Sequence, residues 1–461
     1  MNVCLLNDSF PPVIDGVANV VMNYAAIMQN DGLADVTVAT PKYPGADYDS
    51  YPYKVIPYHS FDTTAVVNGY RTGNPLAVHE LKELSDTKPD IIHSHCPFSS
   101  TVLARMLRFR TDAPIVFTYH TKFDIDIAKA VKADFIRKEV TKTIVENISY
   151  CDEVWVVSNG AGENLKSLGY EGDYRVVSNG VDFEKGKASY EDVVNATKGY
   201  DLPEGVPVFL FVGRTVKYKG IPLIIEALSK LSADGINFRF VCVGSGPDED
   251  EIKELAKNKL KPEQYIFTGA IHDRNVLRAW NTRADLFLFP STYDTNGIVV
   301  REAAACGLAS VLIKDSCAAE GITDDRNGFL IEETAESMYQ LLKRIYKDIP
   351  HMHVVGDNAM EEIYISWKDS VYAAHERYNE LAELKQSGKL VLRHHALTNA
   401  LQYFHEEFLR EYNKVNNDLI EFSEKIDKLN PSAIHNHIKT LIAERDTNLN
   451  FLHKLSDRDR L

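Results

Sequence analysis

The chain has 461 residues, 44% of them hydrophobic and 25% charged, with a formal net charge of −15. That length suffices for two or three domains, each with its own core. The acidic balance excludes the broad basic surface that nucleic acids require, so no nucleic-acid partner is expected. Asn2–Leu6 is too short for a secretory core. Runs such as Leu286–Pro290 fall far short of the roughly 20 apolar residues that span a bilayer. The six cysteines stand singly, with no CxxC or Cys/His spacing, and read as small buried hydrophobes of a reducing compartment. A cytoplasmic protein is expected.

Short β-branched runs alternate with amphipathic stretches from the first residue to about residue 335. In the first half the strand-like runs are Asn2–Leu6, Asp35–Thr40, Ile91–Ser94, Ile115–Thr118, Glu153–Ser158 and Tyr174–Val177. Helical patterns lie between them, at Val17–Met28, Ala77–Asp86 and Ser99–Phe109. The polar stretch Phe183–Val206 reads as a linker, after which strands are expected at Pro207–Gly213, Asn237–Gly244, Tyr265–Thr268, Asp285–Leu288 and Ala309–Ile313. Near-continuous apolar strands alternating with helices indicate parallel sheets covered on both faces. The predicted fold is α/β, with two Rossmann-like doubly wound lobes facing a cleft. Residues 1–195 form the first lobe, completed by a crossover helix at 367–385, and residues 196–366 form the second. Ligands are then expected beyond the carboxyl ends of the strands. Over residues 386–461, Leu397, Leu401, Phe404, Phe408 and Tyr412 begin an apolar stripe at spacings of three and four, broken at Asn430-Pro431. This extension reads as a self-packed helical hairpin, a dimerising coiled coil, or an element that docks a partner or membrane.

Two motifs in the second half carry chemistry. Gly213-Arg214-Thr-Val-Lys-Tyr-Lys219-Gly220 follows an apolar strand and opens a helix. Two cations beside a helix N-terminus make an anion site: Arg214 offers a planar fork and Lys219 a point charge. Lys217 is expected to face solvent. The second motif, Pro290-Ser-Thr-Tyr-Asp294-Thr-Asn-Gly297-Ile-Val-Val-Arg-Glu302, places two acids eight positions apart. Gly297 would let backbone N–H groups approach a phosphate or sugar oxygen. Carboxylates accept hydrogen bonds from vicinal hydroxyls, although Asp294 could equally cap the helix and Glu302 be a solvated first-turn acid.

These motifs, with Val243-Gly-Ser-Gly-Pro247, Phe267-Thr-Gly269 and Ala284-Asp285 between them, make the chain resemble glycosyltransferase family 4, retaining enzymes of the GT-B fold that use nucleotide-sugar donors. The resemblance covers about residues 1–385 and is strongest over 207–331. It implies that Arg214 and Lys219 neutralise the donor diphosphate as the leaving group develops charge. Asp294 takes the place of the family's first Glu, which contacts the transferred sugar, and is one methylene shorter. Glu302 matches the second, which holds the ribose. Gly213 belongs to the same loop, and the amides around Asn296, Gly297 and Ile298 would complete the sugar and phosphate contacts. In the first half, Phe10-Pro-Pro-Val-Ile-Asp15-Gly16-Val17 resembles the family's Gly-rich loop, with Gly16 approaching the diphosphate. No GxGxxG stands there, which argues against a nicotinamide enzyme.

His120, in Phe117-Thr-Tyr-His120-Thr-Lys-Phe-Asp124, matches a family histidine that faces the reacting sugar; a purely structural histidine is the alternative reading. His93 and His95 are read as structural. Asn179-Gly180-Val-Asp182 and Ser366-Trp367 resemble the points where the chain passes between lobes. No metal is required, since Arg214 and Lys219 could do a cation's work. The resemblance implies retention of configuration, with UDP-glucose the expected donor and a glycan or lipid the acceptor. Residues 101–145 hold nine Lys/Arg and five acids, an expected peripheral contact with anionic lipid at the inner membrane face or else a solvated surface. Two other functional readings stay open: a catalytically weak or inactive scaffold recruited through its tail, and an epimerase or phosphorylase on the same fold.

Overall fold

The computed structural model describes residues 1–393, apart from 64–69, 76, 124–126 and 128–133. The predicted apolar stripe from Leu397 onward lies outside the described residues, as do Asp124, Asp126, Lys129 and Lys132.

The first lobe is built on strands β1 (Asn2–Leu6), β2 (Asp35–Pro41), β3 (Lys54–Tyr58), β6 (Ile91–Ser94), β7 (Ile115–Tyr119), β8 (Glu153–Val156) and β9 (Arg175–Val176). They form one parallel sheet in the order β3-β2-β1-β6-β7-β8-β9. A small antiparallel hairpin, β4 (Ser60–Asp62) with β5 (Arg71–Gly73), stands apart. The second lobe carries β10 (Val208–Val212), β11 (Arg239–Val243), β12 (Tyr265–Gly269), β13 (Leu286–Phe289), β14 (Ser310–Ile313) and β15 (Phe329–Ile331). Their order is β12-β11-β10-β13-β14-β15, again parallel throughout. Every residue of β10 is buried, as continuous apolar strands covered on both faces require. In both sheets the strand order reverses in the middle, between β1 and β6 and between β10 and β13. Those switch points open the crevices where doubly wound folds bind ligands.

Strands β3, β4, β5 and β15 were not legible as strands. β3 holds Pro57, tolerated because β3 is an edge strand, and the other three have only three residues each. The stretch read as a linker is more ordered than its composition suggested. It contains a helix, Tyr190–Ala196, capped by the Ser189 hydroxyl, which accepts from the Asp192 amide at 3.1 Å. Beyond this helix, Tyr200 packs its ring edge-on against Trp280 of the second lobe.

The chain returns to the first lobe through helix Trp367–Gln386, whose N-cap Ser366 accepts from the Asp369 amide at 3.0 Å. Its Tyr378 ring stacks on Trp155 of β8 with centroids 5.5 Å apart, and Arg377 pairs with Glu153. At the crossing, Val181 N–H donates to the Ile365 carbonyl at 3.0 Å. A Cβ on Gly180 would lie 2.4 Å from the Trp367 Cα, so only glycine fits there.

Candidate active site

The crevice between β10 and β13 gathers the second-lobe motifs. The loop after β10 runs into a single 3₁₀ turn, Lys217–Lys219, and then helix Ile221–Ala233, with Gly220 in the left-handed region at φ 80°. A Cβ on Gly220 would sit 2.3 Å from the Pro290 carbonyl, so the loops after β10 and β13 touch backbone to backbone. That approach brings Lys219 onto Asp294 in an ion pair. The other carboxylate oxygen of Asp294 accepts from the Ser291 hydroxyl at 2.5 Å. The Lys219 and Asp294 side chains are 15% and 22% exposed, so the pair is partly desolvated yet reachable. Arg214 is exposed and donates to the Tyr218 hydroxyl at 2.7 Å. The Tyr218 ring in turn lies against Tyr293, with centroids 4.9 Å apart. Lys217 pairs with Glu251 on the surface.

Gly297, at φ 59°, leads into helix Ile298–Ala305, whose first turn receives no side-chain cap. An uncapped helix start leaves amides and a partial positive charge for an anion. Glu302 lies in the second turn and is buried. It is not a solvated acid: Arg274 donates to it. Burial raises the Glu302 pKa, and the Arg274 charge opposes that rise. Arg274 also covers the Phe183 ring at 4.4 Å and lies 3.6 Å from Asp182.

Asp294 and Asn296 flank a seam between the lobes. Thr295 donates its hydroxyl to the main-chain carbonyl of His120 at 2.6 Å. Ser158 donates to the Thr295 carbonyl, and the Asn296 amide nitrogen to the Val157 carbonyl. The Asn296 side chain is thereby committed to the other lobe, and its Oδ1 is buried without a partner. Lys122 reaches the Thr292 carbonyl at 3.3 Å. Glu320 accepts from the amides of Asn159 and Gly160 at 2.7 and 2.6 Å, capping helix Asn159–Ser167 from the opposite lobe.

On the first-lobe side the crevice lies between β1 and β6. Asp15 caps helix Gly16–Asn30, accepting from the Ala18 amide at 2.7 Å, from Ser9 at 3.0 Å and from the Tyr70 hydroxyl at 2.7 Å. Gly16 opens that helix, and a Cβ there would meet nothing within 4 Å. Asp8 caps helix Ser99–Thr111 from a distance: its Oδ1 accepts from the Ser99 and Ser100 hydroxyls, both at 2.6 Å, and from the Ser100 amide at 3.0 Å. His93, His95 and His120 form a buried cluster behind these loops. Burial holds His93 and His95 well below the usual imidazole range and lowers His120 to about 3, so all three are neutral at pH 7.

The fold thus joins Lys219 directly to Asp294 and sets Gly297 and Ile298 at an open helix start. It engages Glu302 with Arg274, and the Asn296 side chain with the first lobe. Arg274, Ser291, Thr295 and Asp8 escaped the sequence reading. Ser291 and Thr295 stood within a quoted motif, but Thr295, like Arg274 and Asp8, meets its partner across a distance that periodicity does not encode. Among the described residues, no group of three His, Cys, Asp or Glu is placed to hold a metal ion. Among the same residues, no helix is long and apolar enough to cross a membrane.

Two family models match. Residues 14–185 fit Glycosyltransferase Family 4, and residues 195–362 fit Glycosyl transferases group 1. The alpha-monoglucosyldiacylglycerol synthase of Streptococcus pneumoniae is 23% identical over 67% of this chain and 70% of its own length. Sucrose-phosphate synthase of Thermosynechococcus elongatus superimposes with a TM-score of 0.64 at 20% identity, over 82% of this chain and 98% of its own. HepE of Anabaena, solved with UDP-glucose, gives 0.61 at 16% identity, over 83% and 99%. With both halves matched to their models on two facing Rossmann-like lobes, the chain belongs to the GT-B glycosyltransferases, with a family 4 first lobe and a group 1 second lobe.

Proposed function

We propose that the protein moves a hexose from a nucleoside-diphosphate sugar, with UDP-glucose the first donor to try, to a glycan or lipid hydroxyl with retention at the anomeric carbon. The observation that carries this reading is the convergence of Arg214, Lys219 and the uncapped start of helix Ile298–Ala305 on the β10/β13 crevice. A diphosphate entering there competes with Asp294 for Lys219. The exchange frees a carboxylate oxygen to accept a hydrogen bond from a sugar hydroxyl just as the phosphates gain their cation. Glu302, with one oxygen held by Arg274, offers the other to a ribose hydroxyl. The acceptor oxygen attacks from the face of the departing diphosphate, whose own oxygen takes the acceptor proton. Arg214 and Lys219 stabilise the charge that develops on that leaving group. HepE in complex with UDP-glucose supports the choice of donor.

A lipid acceptor is supported by the relative named as a diacylglycerol-glucoside synthase and by one surface of the first lobe. Helix Asp134–Ser149 exposes Phe135 by 76% and Ile136 by 51%. Beside it lies a groove of about 650 Å³ lined by Arg137, Lys138 and Lys142, by Asp134 (paired with Arg137) and Glu146, and by Ile127, Val145 and Leu168. Apolar side chains interleaved with cations suit an anionic bilayer surface. This face is narrower than the charge count over residues 101–145 implied. Arg108 is buried in an ion pair with Asp152 at 2.8 Å, Arg105 is taken up by Asn147, and Lys122 reaches across the lobes.

The test is thermal stabilisation and slow hydrolysis with UDP-, GDP- and ADP-sugars, on wild type and Arg214→Ala. Stabilisation and turnover with one donor, lost in the variant, is the expected result. Indifference of both proteins to every nucleotide would sink the proposal.

A further inference from the structure

His95 lies one residue beyond β6, and its N–H is held to the Leu6 carbonyl of β1 at 2.9 Å, directly at the first-lobe switch point. His93 and His95 project from the same face of the chain with ring centroids 3.9 Å apart and planes tilted by 33°, yet their surroundings differ. Both ring nitrogens of His93 are engaged, Nδ1 with the Tyr378 hydroxyl and Nε2 with the Thr118 hydroxyl at 2.7 Å. That is a packing histidine, tying the returning helix Trp367–Gln386 to the sheet. His95 is 3% exposed, but its Nε2 has no partner. Its Nδ1 meets Nε2 of His120 at 3.0 Å. Among the described residues, this is the only side-chain hydrogen bond of His120, whose main-chain carbonyl is fixed separately by Thr295.

We propose that His95 is a positioning residue: its Nδ1–H donates to Nε2 of His120 and so keeps the His120 proton on Nδ1, the nitrogen left for a substrate oxygen. The inference rests on the transferase reading proposed above, with His120, whose carbonyl is held by Thr295 next to Asp294, facing the reacting sugar as the family resemblance implies. Two neutral imidazoles sharing one hydrogen bond have two arrangements. If His120 Nε2 carried the proton, His95 Nδ1 would be the acceptor, and the proton of His95 would sit on Nε2, buried with nothing to receive it. With His95 protonated on Nδ1, the unmet atom is a lone pair. Orphaned buried N–H groups are rarer than under-used acceptors. The depressed imidazole pKa values agree, since a protonated ring would donate from both nitrogens. His120 then presents an N–H to the substrate and serves as a hydrogen-bond donor to a sugar oxygen, not as a base. It can act this way only while its ring is held in one tautomer.

The experiment is a two-bond ¹H–¹⁵N spectrum of the full chain labelled at histidine, with the His120 signals assigned by their loss in His120→Gln. In wild type His120 is expected as the Nδ1–H tautomer. His95→Asn, whose side-chain amide can reproduce the Nδ1 donor, is expected to keep that tautomer and recover most of the rate. His95→Asp, whose carboxylate accepts at that point instead of donating, is expected to draw the His120 proton to Nε2 and to lower kcat for donor hydrolysis by roughly 10- to 100-fold with little change in KM. An Nε2–H signature in wild type, or an unchanged tautomer in His95→Asp, overturns the proposal. Should His95→Asp fail to fold, the wild-type and His95→Asn spectra still decide. A wild type that turns over no nucleotide sugar sinks the donor assignment and leaves the tautomer to judge His95 alone.

Discussion

The two switch points share one topology and differ in chemistry. At β10/β13 the crevice holds full charges on reachable side chains, Arg214, Lys219 and Asp294. At β1/β6 it holds neutral imidazoles in the interior and two carboxylates, Asp8 and Asp15, spent on capping helices. A site with a reachable, exchangeable ion pair and an exposed arginine suits a ligand that brings several negative charges and must leave again. A site of dry, fixed dipoles suits neutral hydroxyls, which gain most from preorganised donors in a low dielectric. The same scaffold therefore divides the labour, with the second lobe managing charge and the first managing orientation.

Removing the charge from the second lobe should have the largest effect. Lys219→Ala and Arg214→Ala are each expected to lower kcat by about 10²- to 10³-fold, the usual loss of a donor aimed at developing charge. Steady-state hydrolysis of the preferred nucleotide sugar measures it. The first lobe should respond to pH instead. The folded-state pKa values of His93, His95 and His120 lie below those of the unfolded chain, so the unfolded state binds more protons. Their contribution is whole above about pH 6.5 and fades as pH falls toward the folded values, by about 1.4 kcal/mol per pH unit for each ring. Urea unfolding at pH 7 and pH 5 should show this dependence, and His93→Phe should reduce it by one ring's share. A smaller effect concerns the seam between the lobes. Glu320→Gln, which weakens the charged cap on helix Asn159–Ser167, should lower stability by about 1–2 kcal/mol in the same assay. Smallest in energy, Ile136→Ser should weaken sedimentation with anionic vesicles. It removes an apolar side chain that is already about half covered, so roughly half of the 1.5–3 kcal/mol of a full insertion is at stake.

How much of this could be read beforehand followed from the range of each signal. The apolar runs that became β1, β6, β7, β10 and β13 were plain because continuous burial demands them, and their loops drew attention to Arg214, Lys219 and Asp294. Local spacing said nothing of partners brought in by the sheet order. Arg274 meets Glu302 from 28 positions away, and Thr295 meets His120 from 175. His95 looked like a second structural histidine beside His93, because the two differ only in what lies beyond each ring. Glu302 is not the solvated first-turn acid that its helix position suggested, since Arg274 arrives from a different element.

Displacement of Asp294 from Lys219 by a diphosphate can be read by calorimetric titration of UDP and GDP, without sugar. Wild type, Asp294→Asn and Lys219→Ala should be compared for whichever nucleotide binds. The tightest binding is expected in Asp294→Asn, where the cation is already free, then wild type, then Lys219→Ala. Equal affinity in all three proteins would contradict it, and so would weaker binding in Asp294→Asn than in wild type.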